Sequence, residues 1–176
     1  MSVEEELKEA AGEGHHPFDR KVAASMALIA AALAIVAVLG QFTSTEEVVL
    51  QQRASDQWSF AQGKSTRRYE SDIAHEILAA IGNPAAQKAS EMYSANASKL
   101  ESDMEEIRKK ATEFQDESRL RGLQSRRLHF GEVFLEIAIV LASLAILTHR
   151  HAVWATSLIA AAIGAAIAIT TKFVHL

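Results

Sequence analysis

The sequence predicts an all-α membrane protein with three transmembrane helices and a long antiparallel helical hairpin, of coiled-coil type, between the first and second. Three observations predict it. Polar residues all but vanish from three stretches, 22–42, 130–147 and 152–171. The intervening residues 43–129 carry fourteen acidic and thirteen basic side chains, so they are dense in charge yet nearly neutral. Within them, apolar residues recur at alternating spacings of four and three, the heptad pattern of a helical contact seam.

Residues 1–21 form an acidic tail with six acids against three bases. Val3 to Lys8 has the composition of a short helical turn, which Gly12 and Gly14 break. His15, His16 and Pro17 read as an interfacial turn, with Asp19 as N-cap and Arg20 and Lys21 at headgroup level. Residues 22–39 then hold Ser25 as their one polar member and no charge. At the helical rise they cover roughly 27 Å, and continuing to Phe42 completes the ~30 Å hydrocarbon core. A cleavable leader is not expected, because this apolar run is too long for a signal core.

Gly40 suits a helix C′ position, and Ser44, Thr45, Glu46 and Glu47 have the form of a capping box. A fresh helix is therefore expected from about Thr45 to Ile81. Gly82, Asn83 and Pro84 predict the hairpin turn, with Asn83 as N-cap and Pro84 at the first position of the next helix. In that second arm the stripe runs through Tyr93, Ala97, Leu100, Met104, Ile107, Ala111, Phe114 and Ser118. The first arm has a looser stripe through Leu50, Ala54, Trp58 and Ala61, interrupted at Lys64–Arg68 and resuming at Tyr69, Ile73, Ile77 and Ala80. Packing the stripes together gives arms of about 55–70 Å.

No terminator separates the second arm from the second span, 130–147. Thr148, His149, Arg150 and His151 then allow only a tight connection to the third span, 152–171, where Trp154 is an interfacial anchor. Lys172 and His175, in the short tail 172–176, suit the headgroup level.

The absence of cysteine excludes disulfides and thiolate chemistry. No basic patch dominates, which argues against nucleic acid. Phosphate loops, nucleotide fingerprints and nucleophile elbows are missing, so no catalytic residue, metal or cofactor is expected and the protein is not read as an enzyme. One constellation stands out. His129, Glu132 and Glu136 are spaced to share a helix face where the second span begins, and a carboxylate there must be neutralised, paired or turned to water. They read as an interfacial pairing site or, alternatively, as an ion- or proton-handling site. Ala160, Gly164 and Ala168 repeat every four residues, as do Ala27 with Ala31 and Ala30 with Ala34, and such stripes permit close helix packing in lipid.

The expected partners are the lipid bilayer, further copies of the chain and an unidentified protein held by the hairpin. Arg20 and Lys21 before the first span, Glu46 and Glu47 after it, and Arg150 in the second turn favour a cytoplasmic N-terminus and a periplasmic hairpin, whereas Arg119, Arg121, Arg126 and Arg127 argue for the reverse. The short segments are given more weight because long translocated segments obey the charge rule less strictly.

The His-Pro-Phe-Asp-Arg-Lys run at 16–21, the segment Ala54-Ser55-Asp56-Gln57-Trp58, and the second span from Phe134 to Leu147 resemble the bacterial family catalogued as domain of unknown function 4337. The resemblance covers the chain from His16 almost to its end. It implies a small bacterial membrane protein with helical hairpin topology, and it brings no substrate, cofactor or catalytic residue; the bacterial inner membrane is the expected location. The combined expectation is a self-associating membrane-anchored helical scaffold. The alternative is an oligomeric ion channel or ion-coupled transporter that uses Glu132 and Glu136.

Overall fold

A computed structural model describes residues 17–171, and the early turn at Val3–Lys8, the paired His15 and His16, and the tail with Lys172 and His175 lie outside it. The described elements are α1 (Pro17–Ile81), α2 (Pro84–Thr148) and α3 (His151–Thr170). Each contains a stretch long and apolar enough to cross a membrane.

Helix α1 corrects the expected segmentation. It passes through Gly40 and Thr45 without a break. The capping pattern at Ser44–Glu47 goes unused because the preceding turns already supply carbonyl partners to the N–H groups a cap would satisfy. Gly40 is buried against α2, where a Cβ would reach van der Waals contact with the His129 imidazole at 3.4 Å. Asp19 lies inside the first turn and is not the cap, because Pro17, which needs no N–H partner, takes the start of the helix. Helix α1 ends at Ile81 and α2 starts at Pro84. Gly82 adopts a φ of 71°, and the Asn83 side chain accepts the Ala86 N–H at 2.7 Å. Between α2 and α3, His149 has a φ of 48°, which reverses the chain within two residues.

The chain divides into two compact units, Met1–Ser44 with Gly122–Leu176, and Thr45–Arg121. In the first, Ile29 and Val36 of α1 pack with Leu128, Leu135 and Ala138 of α2, and Ala160, Ala161 and Ala168 of α3 close the cluster. A second cluster joins Val22 to Ala142 and Ala145, with Phe18, Met26, Val153 and Trp154 around it. This core is thin. Only 17% of the most apolar window of α1 and of α3 is buried, and 28% of that of α2. Leu28, Ile35, Leu147, Ile159 and Ile169 are exposed by 60% or more. So much apolar surface left outward fits a lipid solvent and not water. The chain is a multi-helix, multi-pass membrane protein.

In the second unit, small side chains fill the contact between helices. Ser90, Ala97, Met104, Ala111 and Ser118 are buried at every seventh position of α2, and Leu50, Ala54, Ala61 and Ser71 are buried on α1. Partners run in opposite numerical directions: Glu47 with Ser118, Lys64 with Asp103, Arg68 with Glu101, Ser71 with Asn96, and His75 with Ser90.

The predicted first-arm stripe needs correction here. Tyr69, Ile73 and Ile77 are exposed by 58%, 57% and 58%, Ala80 is exposed, and Trp58 and Phe60 also face outward. Lys64 and Arg68, read as an interruption, sit on the contact face. The seven-residue phase continues past Ala61 unbroken, but its occupants become polar.

Candidate functional site

The residues singled out at the start of the second span lie on one stretch of α2, and only some of them meet. His129 Nδ1 stands 3.0 Å from Glu132 Oε2, with half of the His129 side chain and a quarter of that of Glu132 accessible. A spacing of three residues brings them onto the same edge of the helix. Whereas its chain neighbour Leu135 is buried, Glu136, one turn further, is exposed. Among the described residues it has no ion pair or hydrogen bond. Nor do the described residues include any group of three or more His, Asp or Glu placed to hold a metal ion.

The small-residue stripe on α3 meets α2 of its own chain. A Cβ added to Gly164 would come within 2.7 Å of the Gly131 carbonyl oxygen, and one added to Gly131 within 2.8 Å of that of Gly164. Ala168 closes over the same spot, and Ala160 packs on the adjoining core. Helix α2 continues through Gly131, whose missing side chain lets two backbones touch. Ala27, Ala30, Ala31 and Ala34 face outward instead.

Sequence reasoning missed the residues that tie the start of α1 to the connection between α2 and α3. Asp19 lies 3.3 Å from His149 Nδ1, the Phe18 ring packs tilted against His151 with centroids 4.3 Å apart, and the Trp154 indole donates to Ser25 Oγ at 3.1 Å. Only the run of aromatic, acidic and histidine residues beside both span ends could have signalled it.

In the second unit, Ala97, Met104 and Ala111 of the predicted stripe are buried, Leu100, Ile107 and Phe114 are half-buried, and Tyr93 is 43% exposed. Polar pairs carry the rest of the contact. The hydrogen bond from Lys64 holds the Asp103 carboxyl below the ordinary aspartate range, with Lys99 adding to the effect. On the outer face of α2, Lys110 lowers Glu106 by the same kind of bond, and Glu106 in turn raises Lys110. His75 Nδ1 lies 2.7 Å from Ser90 Oγ, while Ser90 also reaches the His75 carbonyl oxygen at 3.1 Å. An open groove near the start of this unit, about 300 Å³, is lined by Val49, Leu50 and Phe114 with Arg53, Glu117 and Arg121 at its edge, and Arg121 is paired with Glu46.

The arrangement offers structural pairing and packing surfaces more than a reacting centre. No curated protein and no solved structure matches the chain. A family model does match, over residues 18–174, which is nearly the whole of it. The chain belongs to the family described as domain of unknown function (DUF4337).

Proposed function

We propose that the protein is a membrane-anchored helical scaffold that self-associates, with residues 45–121 forming an antiparallel coiled-coil hairpin outside the bilayer. One observation carries this reading: the buried residues of that segment recur every seven positions, and cross-helix partners run in opposite directions from Glu47–Ser118 to His75–Ser90. Such a seam spends its side chains on holding two helices in register and leaves the outer faces for other contacts. The reading places the protein in a bacterial inner membrane, N-terminus in the cytoplasm and hairpin in the periplasm, with assembly and not catalysis as its role.

The test is the mass of the full chain in lipid nanodiscs by light scattering, beside a variant with Ala111→Asp in the seam. A defined oligomer is expected for the wild type, with loss of cooperative unfolding of the hairpin in the variant. A strictly monomeric wild type overturns self-association, and a seam indifferent to a buried carboxylate overturns the coiled coil.

A second reading draws on Glu136, an exposed carboxylate without a partner among the described residues of an apolar helix. A bare carboxylate is costly against lipid tails and is better placed beside a water path formed by several copies. Ion flux through proteoliposomes should then fall in Glu136→Gln, and absence of wild-type flux ends this reading.

A further inference from the structure

The inner and outer faces of α1 exchange character between Lys64 and Ile81. Most side chains turned toward α2 there are polar, namely Lys64, Arg68, Ser71 and His75, while Leu78 is half-buried. Four large apolar ones are turned away: Tyr69, Ile73, Ile77 and Ile81 are exposed by 58%, 57%, 58% and 57%. They follow one another at intervals of four, the row that builds a ridge along a helix surface. Single exposed apolar residues need no explanation, whereas a contiguous row marks a contact surface. The outward face of α2 is mostly polar, with Glu91, Ser98, Lys99, Glu105 and Glu106 all exposed, and its exposed large apolar side chains there are Met92 and Tyr93, close to the turn. The bilayer crossed by the first span is not the cover, because Glu46, Glu47, Arg53 and Asp56 intervene between Phe42 and Tyr69.

We propose that this ridge docks on the same ridge of a second copy of the chain, an inference that rests on the self-association reading and assigns its surface. Membrane topology supports a second copy as the occupant. Every chain inserted alike carries this segment on the same side of one bilayer, which raises the concentration at which copies meet. Side chains of this size, each a little over half exposed, offer roughly 400 Å² per copy and roughly 800 Å² per pair. That is less than the ~1,200 Å² of a stable soluble complex and suits a contact assisted by membrane confinement. The flanks carry both signs, Arg67 against Glu70 and Glu76, so facing copies find complementary charge. Two rows at intervals of four interdigitate at a crossing of about −50°, and two-fold symmetry then brings the middle of each ridge, near Ile73, close to its counterpart.

The native chain has no cysteine, so single-cysteine variants report the contact directly. The full chain is reconstituted in liposomes as Ile73→Cys and as Ser98→Cys, which places the thiol on the outward face of α2, and mild oxidation follows. Ile73→Cys is expected to form covalent dimers about tenfold or more faster than Ser98→Cys, the rate of which reports random collision. In nanodiscs, Ile73→Glu with Ile77→Glu should lower the oligomer mass while helicity stays at the wild-type level. If the wild type is oligomeric but the two thiols react equally, or the double variant keeps its mass, the ridge is not the interface and self-association stands on another surface. If the wild type is monomeric, both fail.

Discussion

Gly131 and Gly164 show how much a missing side chain can decide. Their backbones approach so closely that a methyl group on either would sit under 3.0 Å from a carbonyl oxygen of the other helix. Replacing Gly131 by alanine is expected to destabilise the membrane unit by about 1–3 kcal/mol, the usual cost of overpacking a tight contact. Gly63 provides the contrast. It lies within α1 with nothing in reach of an added Cβ, so Gly63→Ala should stabilise by about 0.5–1 kcal/mol through helix propensity. Thermal unfolding in detergent, followed by circular dichroism, separates the two. A Gly131→Ala protein that unfolds no earlier than wild type would show that the helices do not touch there. Sequence alone flagged Gly164 through its spacing with Ala160 and Ala168 but could not name its neighbour, because a small-residue stripe says that a helix comes close and not which one.

At the scale of the helix, the turn at Gly82–Pro84 was fully legible, since each residue there has one local job: positive φ at Gly82, a cap at Asn83, a fixed φ at Pro84. The continuity of α1 was not. Gly40 and the capping residues at 44–47 are local stop and start signals, and packing on both sides of them overrides local preference. The face of α1 beyond Ala61 was misread for a related reason. Apolar periodicity assumes that the oily side is the packed side, and here Tyr69, Ile73 and Ile77 lie on the other one. Asp103 offers a test of the polar seam. Its carboxyl titrates below the ordinary aspartate value because Lys64 binds the charged form, so the contribution of this pair is complete above that ordinary value and disappears as pH falls through the depressed one. Asp103→Asn should therefore weaken the contact between α1 and α2 at neutral pH and blunt its acid-side decline. Unfolding profiles of the variant and wild type that run parallel down to acid pH would show that the pair adds nothing.

For the molecule as a whole, the division into lipid and water was the most legible property, because it depends only on where charge is absent. The two tryptophans report on it. Trp154 is half-buried with its indole hydrogen-bonded to Ser25, beside the end of a span, whereas Trp58 is 42% exposed in the charged segment. In liposomes, the fluorescence of Trp58 (in Trp154→Phe) should be quenched by acrylamide about threefold more strongly than that of Trp154 (in Trp58→Phe), with brominated lipid reversing the order. Equal quenching of both by acrylamide would place the apolar helices in water and remove the basis of the membrane assignment.

The smallness of the seam between α1 and α2 has one more consequence. Alanine and serine occupy most of the buried positions, with Leu50 and Met104 the larger exceptions, so shape alone distinguishes poorly between one alignment and its neighbour a heptad away. Charge supplies the vernier. Slipping α2 by seven residues in one direction would set Lys64 against Lys110 and Arg68 against Arg108, replacing two attractions with two repulsions. Slipping it the other way would offer them only Asn96 and Ser94. Both neighbouring alignments forfeit the cation–carboxylate pairs, so the polar patch in the seam works as the detent that stops the two helices from sliding.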